Sequence, residues 1–313
     1  MNRNARILVA GGETLAGKAL LGVLAARGFD HILPAPEIPV DLRQPLETRA
    51  YFEREKPEYV FLAGGLSGGI GANLRRPADL MLDNLRIQLE VLENAHRVGV
   101  RKLLFLASSC CYPRDCPQPI TPDSLLTGPL EPSNEAYAVA KISGIKLCQA
   151  LRAQAGCRYI VAIPATPYGP DADFDPEQGH VIEALIRRMH EAKQKDARAV
   201  TVWGSGRPQR DFLFADDLAD ACLFVMDRYD AAAPIQLGPG EGISIGELAR
   251  QIRDVVGFSG AIEFDTSRPD GMPLKCLDIG PLRELGWRPR WTLRDGLAAT
   301  YEGYLRKTDQ HAA

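Results

Sequence analysis

The sequence has little that would point to a membrane, to a secreted scaffold or to nucleic acid. No stretch approaches the roughly 20 apolar residues of a membrane-spanning helix, and no apolar signal segment follows the first residues. The 37 Lys and Arg residues are balanced by 40 Asp and Glu residues, a net charge of −3, whereas nucleic-acid-binding domains usually carry a basic excess. These features predict a cytoplasmic location, without membrane or nucleic-acid partners.

Cysteines are few and irregularly spaced. There are seven, an odd number, and no two form a CxxC pair, so we expect neither a disulfide framework nor a metal site. Free thiols are typical of a reducing compartment. With 313 residues, 45% of them apolar and 25% charged, the composition is that of an ordinary globular protein of one or two domains.

The N-terminal half alternates short apolar strands with helices. We predict strands at 5–10, 31–33, 59–62, 102–107 and 158–163, and helices at 16–27, 44–55, 77–98 and 136–155. Such repeated units are typical of the α/β class, with a doubly wound parallel sheet. Beyond residue 165, Pro, Gly and Asp become frequent. The sequence therefore predicts a dinucleotide-binding domain over 1–165 and a smaller C-terminal substrate-binding lobe over 166–313, from which some elements return to the sheet.

A glycine-rich turn joins the first predicted strand to the first helix. Gly11 and Gly17 occupy the outer positions of a GxxGxxG fingerprint, and Thr14 stands at the middle one. The outer glycines allow the tight turn and the close packing of helix and strand, so that a pyrophosphate binds at the helix N-terminus. The turn predicts a Rossmann dinucleotide site in which the side chain of Thr14 narrows the space for the pyrophosphate.

The choice between NAD(H) and NADP(H) stays open at this stage. An acidic residue after the second strand usually binds the adenosine ribose, while an arginine nearby accepts a 2′-phosphate. Glu37 follows that strand without an accompanying arginine, and Asp41 and Leu42 come soon enough to reach the adenine side.

A tyrosine and a lysine lie four residues apart on a predicted helix. Tyr137 and Lys141 share one helix face. Because an ammonium beside a phenol favours the phenolate, we expect the pKa of Tyr137 to fall below its usual value of about 10. Ser108 and Ser109 follow the fourth strand, at the sheet edge where open α/β folds bind ligands. The three groups predict a site that moves a proton to or from a substrate oxygen, which Ser108 aligns.

These motifs belong to a longer pattern that covers nearly the whole chain, from residue 5 to about residue 305. The sequence resembles the GDP-L-fucose synthase family of extended short-chain dehydrogenase/reductases. The segments that carry the resemblance are 63–73 (AGGLSGGIGAN), 108–113 (SSCCYP), 130–141 (LEPSNEAYAVAK), 180–182 (HVI), 203–206 (WGSG) and 210–212 (RDF).

The resemblance implies a nucleotide-sugar epimerase/reductase that converts GDP-4-keto-6-deoxy-D-mannose to GDP-L-fucose or a related GDP-deoxysugar. It assigns epimerisation at C3 and C5 to Cys110 and His180, and the subsequent reduction at C4 to Ser108, Tyr137 and Lys141. This chemistry suits a thiol and an imidazole. A C4 ketone acidifies its neighbouring C–H groups, and inversion needs a base on one face and a proton donor on the other.

The remaining family positions map to the coenzyme and to the nucleotide of the substrate. The resemblance implies NADP(H) or NAD(H) contacts at Gly11, Thr14, Leu15, Gly17, Asp41, Leu42, Ala63, Tyr137, Lys141, Pro164 and His180. It implies substrate contacts at Ser109, Arg188, Trp203, Arg210 and Lys275. It also implies a homodimer in which the helices at 77–98 and 136–155 pair across a two-fold axis.

Three positions depart from the family pattern. Besides Thr14, Leu66 stands where a lysine is common, and Thr166 stands where an asparagine is usual. These changes bear on the coenzyme preference and on the exact sugar. Two alternatives stay open: a related GDP-sugar enzyme that epimerises fewer centres or only reduces, and a non-catalytic protein that binds a nucleotide sugar or a dinucleotide on the same fold.

Overall fold

The structure, a computed structural model, describes residues 1–33, 40–175, 179–268, 270 and 272–312. The strands in these ranges are β1 Ile7–Ala10, β2 Ile32–Leu33, β3 Tyr59–Leu62, β4 Lys102–Leu106, β5 Tyr159–Pro164, β6 Thr166–Tyr168, β7 Ala199–Trp203, β8 Gln209–Arg210, β9 Phe212–Phe214, β10 Ile235–Leu237, β11 Ile243–Ser244, β12 Ala261–Asp265 and β13 Leu274–Lys275. The helices are α1 Leu15–Ala26, α2 Pro45–Glu55, α3 Ile70–Arg75, α4 Pro77–Arg97, α5 Glu135–Ala155, α6 Val181–Gln194, α7 Ala215–Arg228, α8 Ile245–Val256, α9 Gly280–Glu284 and α10 Leu293–Ala312.

Six parallel strands form the central sheet, in the order β10-β5-β4-β3-β1-β2. The chain passes from β1 to β2 on one side and then returns to β3, which pairs with the other side of β1. The strand order therefore reverses between β1 and β3, and the crevice at their carboxyl ends is where such sheets bind ligands. The predicted doubly wound α/β fold is confirmed.

The predicted elements of the N-terminal half are present, with ends that differ by no more than two residues. The short helix α3, between β3 and α4, was not predicted. Its six residues follow the glycine-rich segment 64–69, a composition typical of a loop. They are too few to show a helical repeat of apolar residues.

Helices cover both faces of the sheet. The helix α1 packs against α7, and α4 packs against α5. The two pairs lie on opposite faces, because right-handed crossovers run in opposite directions from β1 and from β3. The strands between them are buried, and Leu103, Phe105 and Ile160 have no exposed surface. Near-continuous apolar strands of this kind are typical of a parallel sheet that has helices on both of its faces.

The C-terminal half contributes both to the sheet layer and to a second core. The strand β10 pairs with β5, and α7 contacts β4 and β5. Elsewhere α6, α8 and α10 pack together and bury a separate cluster that includes Ile182, Met189 and Leu248. The division at residue 165 stays a prediction. Within the described ranges, no helix has the length and apolarity that a bilayer crossing requires.

A buried carboxylate, Asp211, joins strands of the C-terminal half at the edge of the crevice. It is 2% exposed, and its Oδ2 accepts a hydrogen bond from the backbone N–H of Leu277 at 3.0 Å. Its backbone carbonyl accepts from the N–H of Thr166 at 3.1 Å. Burial raises the pKa of Asp211, and the bond from Leu277 and the charge of Lys275 oppose this. The bond from Leu277 holds the chain just after β13 beside β8, where Lys275 lies opposite Arg210.

Candidate active site

The turn after β1 brings the backbones of β1 and β3 into close contact. Gly11 has a φ of 95°, and a Cβ at this position would overlap the backbone of Gly64. A Cβ on Gly17 would overlap the carbonyl of Gly11. Glycine is therefore required at both positions. The arrangement holds the N-terminus of α1 at the crevice, where its first N–H groups form a cradle that fits a pyrophosphate.

Thr14, at the middle position of the turn, caps α1. Its Oγ1 accepts a hydrogen bond from the N–H of Gly17 at 3.0 Å and donates to the carbonyl of Gly11 at 2.8 Å. The same hydroxyl lies 3.3 Å from the carbonyl oxygen of Ala63. The hydroxyl is thus directed back into the turn, where it caps the helix and connects the ends of β1 and β3. Leu15 follows, half-buried.

The residues expected on the adenine side lie beside a chain of ion pairs. Asp41 accepts from Nε and Nη2 of Arg43 at 2.8 and 3.0 Å, and Nη1 of Arg43 reaches Asp83 at 3.2 Å. The hydrogen bond from Arg43 lowers the pKa of Asp41. Leu42 packs against the main core. Glu37 lies outside the described residues. Arg43 was not predicted, although it directly follows the Asp41–Leu42 pair.

Ser108, Tyr137 and Lys141 meet just beyond the end of β4. The hydroxyl of Ser108 lies close enough to the phenol of Tyr137 to lower the pKa of that phenol. The Nζ of Lys141 lies 5.9 Å from the centre of the Tyr137 ring and donates to the carbonyl of Leu106 at 3.3 Å. The three predicted groups therefore lie together, with the ammonium above the ring and the serine at the phenol oxygen.

The pKa of Tyr137 differs from the expectation. Burial raises it above its ordinary value, the charges of Cys110 and Cys111 raise it further, and the hydrogen bond with Ser108 opposes them. The expectation of a lowered pKa is therefore wrong for this structure. Burial also lowers the pKa of Lys141, to about 8, and this lysine lies over the ring rather than at the oxygen. Tyr137 consequently stays protonated at neutral pH, as a proton donor must.

Cys110 lies on a short 3₁₀ turn, Ser109–Cys111, directly after Ser108. The Oγ of Ser108 accepts the N–H of Cys110 at 3.2 Å. Two donors contact its sulfur: Nδ2 of Asn134 at 3.3 Å and Nζ of Lys275 at 3.7 Å. The thiol of Cys110 and the phenol of Tyr137 thus share Ser108 as a neighbour.

The neighbouring cysteine is a different kind of group. Cys111 is fully buried, and burial raises its pKa to about 12. Its sulfur lies 3.9 Å from the carbonyl of Ala138. Cys111 is therefore an apolar part of the core rather than a proton carrier.

His180 stands at the N-terminus of α6, with its side chain open to the crevice. Desolvation by the surrounding protein lowers the pKa of His180, and the positive charge of Lys275 lowers it further. The negative charge of Asp173 opposes both effects. Lys275 is therefore a neighbour of His180 as well as of Cys110, and the imidazole is mostly neutral at pH 7.

The predicted nucleotide residues lie on the C-terminal half. Trp203 is 61% exposed, and the guanidinium carbons of Arg188 and Arg268 lie 6.0 and 5.1 Å from its ring centre. Arg188 and Trp203 line a groove of about 500 Å³. The neighbouring Arg187 forms an ion pair with Glu191 at 2.8 Å. A larger groove, of about 820 Å³, is lined by residues 171–175, α6 and α10 and includes none of the predicted catalytic side chains.

The other predicted contacts border the crevice. Arg210 is opposite Lys275 in the pairing of β8 with β13, and burial lowers its pKa. Ser109 is buried beside Cys110. Pro164 ends β5, opposite Leu237 of β10.

Sequence comparison identifies the family. A family model described as the NAD dependent epimerase/dehydratase family matches residues 7–245. The GDP-L-fucose synthase 1 of Arabidopsis thaliana is 47% identical over 305 residues, which cover 97% of this chain and 94% of that protein. The chain belongs to the GDP-L-fucose synthase family. The family resemblance expected from the motifs is confirmed, and the protein is an NAD(P)-dependent enzyme.

Solved structures agree with this assignment. A GDP-L-fucose synthetase from Naegleria fowleri bound to NADP has a TM-score of 0.89 at 29% identity, over 99% of this chain and 96% of that one. A GDP-6-OMe-4-keto-L-xylo-heptose reductase from C. jejuni has a TM-score of 0.90 at 32% identity, over 98% and 99% of the two chains.

The contacts of Asn134 and Lys275 with the sulfur of Cys110 were not predicted. Asn134 lies within the motif 130–141, where its position before the helix indicates an N-cap rather than a partner of Cys110. Lys275 is 165 residues away from Cys110 in the chain, so no spacing in the sequence signals that they meet.

The glycine turn generates a prediction. Gly17→Ala should weaken NADPH binding about tenfold or more, the equivalent of about 1.4 kcal/mol, because the added Cβ overlaps the carbonyl of Gly11. Gly22→Ala is the matched control, since it lies on the same helix with no atom within 4 Å of the added Cβ. Fluorescence titration with NADPH measures the affinity, and circular dichroism checks the fold. A folded Gly17→Ala protein with unchanged affinity would place the dinucleotide elsewhere.

Proposed function

We propose that this enzyme is a GDP-sugar epimerase/reductase that acts on GDP-4-keto-6-deoxy-D-mannose or a closely related 4-keto sugar. The observation that carries the proposal is the adjacency of two kinds of proton-transfer group. The Oγ of Ser108 accepts the backbone N–H of Cys110 at 3.2 Å, and the same hydroxyl influences the pKa of the Tyr137 phenol beside it. A single sugar ring beside Ser108 therefore meets a base for its C–H groups and a donor for its oxygen. The name of the 47% identical relative supports this substrate class.

The coenzyme site of the proposal is the cradle formed by Gly11, Gly17 and the N-terminus of α1. These residues fit the pyrophosphate of NADP(H) or NAD(H), and the coenzyme, when bound, supplies the hydride for C4. The solved relative from Naegleria fowleri is described as bound to NADP. Thr14 fixes the cradle through its bonds to Gly11 and Gly17.

Reduction at C4 uses Tyr137 as the proton donor. Its raised pKa keeps the phenol protonated before the reaction. Ser108 aligns the C4 oxygen through a hydrogen bond. Lys141, at 5.9 Å from the ring centre, stabilises the phenolate that remains after the proton has moved.

Epimerisation at C3 and C5 uses Cys110 as the base. The C4 ketone acidifies both C–H groups, and the resulting enolate oxygen lies where Tyr137 and Ser108 donate hydrogen bonds. His180 returns a proton from the opposite face. The lowered pKa of His180 makes its protonated form a ready donor.

The nucleotide of the substrate is assigned to the surface around Trp203. An exposed indole offers a stacking face for a base. Arg188 and Arg210 are suited to the diphosphate, because guanidinium groups form bidentate bonds with phosphate oxygens.

Substitution of the tyrosine tests the reduction step. Tyr137→Phe keeps the ring and removes only the donated proton, so kcat for reduction should fall at least 100-fold while NADPH affinity is retained. Stopped-flow oxidation of NADPH and of NADH with the 4-keto sugar measures the first quantity, and fluorescence titration measures the second. Turnover close to wild type would refute the role of Tyr137.

Substitution of the cysteine tests epimerisation separately. Cys110→Ser keeps the size of the side chain but offers a poor base, so the variant should still oxidise NADPH slowly and yield an un-epimerised or partly epimerised 6-deoxy sugar. His180→Asn should still allow deprotonation but block return of the proton from the opposite face. Deuterium incorporation from D₂O at C3 and C5, read by NMR of the products, follows each half of the inversion.

NMR analysis of the same products also distinguishes the proposed function from the alternatives left open by the sequence. A wild-type product inverted at fewer than two carbons identifies an enzyme that acts at fewer centres, a possibility raised by the 32% identical heptose reductase. Absence of turnover with this sugar would contradict the proposed substrate. Exchange and inversion at the wild-type rate in Cys110→Ser would leave Cys110 without a role in epimerisation.

We also propose that the enzyme is a cytoplasmic homodimer, without nucleic-acid or membrane partners. The helices α4 and α5 pack side by side. Their outer surface carries Leu82 and Leu89, 47% and 49% exposed, whereas Leu80 and Leu92 are buried within the protomer. All seven cysteines are free thiols, which suits a reducing compartment.

The dimer proposal predicts a solution mass of twice 34.2 kDa by light scattering at micromolar concentration. The double substitution of Leu82 and Leu89 by Lys should shift the mass to the protomer value, because charge replaces apolar surface at the contact. A wild-type protein that remains at the protomer mass contradicts the proposal.

A further inference from the structure

We propose that Asn134 and Lys275 form a clamp of two hydrogen-bond donors that holds Cys110 as its reactive thiolate. This inference rests on the proposed role of Cys110 as the base in epimerisation. Asn134 and Lys275, named here the sulfur clamp, are positioning residues, since they act on the substrate through Cys110. Neither residue is needed for the reduction chemistry of Ser108, Tyr137 and Lys141.

The contacts of the sulfur clamp favour a deprotonated sulfur. The Nδ2 of Asn134 and the Nζ of Lys275 lie 3.3 and 3.7 Å from the sulfur of Cys110. An ammonium has donors only, and the amide nitrogen is a donor as well. A thiolate accepts both bonds, whereas a thiol is a weak acceptor that brings a proton of its own.

Asn134 is placed for this contact rather than for helix capping. It occupies the N-cap position of α5, where asparagine is among the preferred residues, yet its side chain makes no capping hydrogen bond. Its Oδ1 is buried and has no hydrogen-bond partner in the structure. Rotation of the amide would bring Oδ1 to the sulfur, where it could accept a hydrogen bond from the S–H group. The same side chain therefore accommodates Cys110 before and after it removes a proton from the substrate.

Lys275 reaches the sulfur from the C-terminal half of the chain. It lies on β13, which the bond between Asp211 and Leu277 holds in place. Its charge also lowers the pKa of His180. One ammonium thus favours the thiolate of Cys110 and makes the protonated form of His180 a stronger acid, which suits a base and a proton donor. Lys275 was predicted to bind the substrate diphosphate, and its distance to Cys110 supports a role at the sulfur instead.

Other ionisable groups face Cys110 from both halves of the chain. Arg210 interacts with its charge from β8, but among the described residues the hydrogen bonds to the sulfur come from Asn134 and Lys275. On the sheet side, Tyr137 and Cys111 interact with the charge of Cys110, and both are neutral near pH 7 because burial raises their pKa values. Lys275 is therefore the cation with a direct contact to the sulfur.

The alkylation rate of Cys110 tests the sulfur clamp without turnover. Iodoacetamide is applied at pH 7, and mass spectrometry of peptides separates Cys110 from the six other cysteines. Asn134→Asp keeps the shape but loses the donor, and Lys275→Met removes the charge. Each should slow alkylation about tenfold, since a nearby opposite charge or a donor shifts ionisation by about one unit or more. At pH 10 the rates should converge, because a thiol then ionises unaided.

Control variants separate the sulfur clamp from general effects. Lys275→Arg keeps the charge and should recover most of the alkylation rate. Arg207→Met removes an exposed cation from the same half of the chain and should change nothing. Asn134→Ala replaces Asn134→Asp if the latter fails to fold. Alkylation of Cys110 at the wild-type rate in folded Asn134 and Lys275 variants would overturn the sulfur clamp.

Isotope exchange distinguishes failure of the sulfur clamp from failure of the proposed function. In both sulfur-clamp variants, deuterium incorporation at C3 and C5 should fall about tenfold, in parallel with alkylation, while NADPH affinity is retained. If Cys110→Ser abolishes exchange but the sulfur-clamp variants alkylate normally, the sulfur clamp fails and the proposed function stands. If Cys110→Ser exchanges normally, the proposed function fails, and alkylation still decides whether the sulfur clamp exists.

Discussion

The common direction of six strands is the constraint on which the site depends. Because β1, β3, β4 and β5 are parallel, their carboxyl ends meet at one edge of the sheet. Residues that follow different strands therefore come together there to form the site. The glycine turn follows β1, Ala63 follows β3, and Ser108 and Cys110 follow β4. An antiparallel partner would place half of these groups on the opposite edge. The backbone contact between Gly11 and Gly64 then narrows the crevice at the point where the strand order reverses.

Much of this arrangement could be predicted from local sequence. Apolar strands, amphipathic helices and glycines after the first strand indicate a Rossmann sheet, and the four-residue spacing of Tyr137 and Lys141 places both on one helix face. The carboxyl-end rule then brings Ser108 to the same edge. These inferences succeed because each depends on neighbours in the chain or on one general property of parallel sheets.

Other features could not be predicted because they depend on tertiary packing. The raised pKa of Tyr137 follows from how deeply α5 is buried against the sheet, a quantity that residue spacing does not contain. The contact of Lys275 with Cys110 depends on the pairing of β13 with β8 and on the buried hydrogen bond from Leu277 to Asp211, both of which join segments far apart in the chain. Asn134 has the sequence position of a helix cap, and only the structure reveals that its amide contacts the sulfur instead.

The two proton-transfer groups are coupled through their charges. The charge of Cys110 contributes to the raised pKa of Tyr137, so a thiolate at Cys110 keeps the phenol protonated. Once the thiolate has taken a proton from the sugar, this contribution vanishes and the phenol becomes more acidic. In the proposed mechanism, each deprotonation of the sugar by Cys110 therefore strengthens the hydrogen bond that Tyr137 donates to the enolate oxygen at C4. A base and an acid that share Ser108 as a neighbour thus cooperate in forming the enolate that each inversion requires.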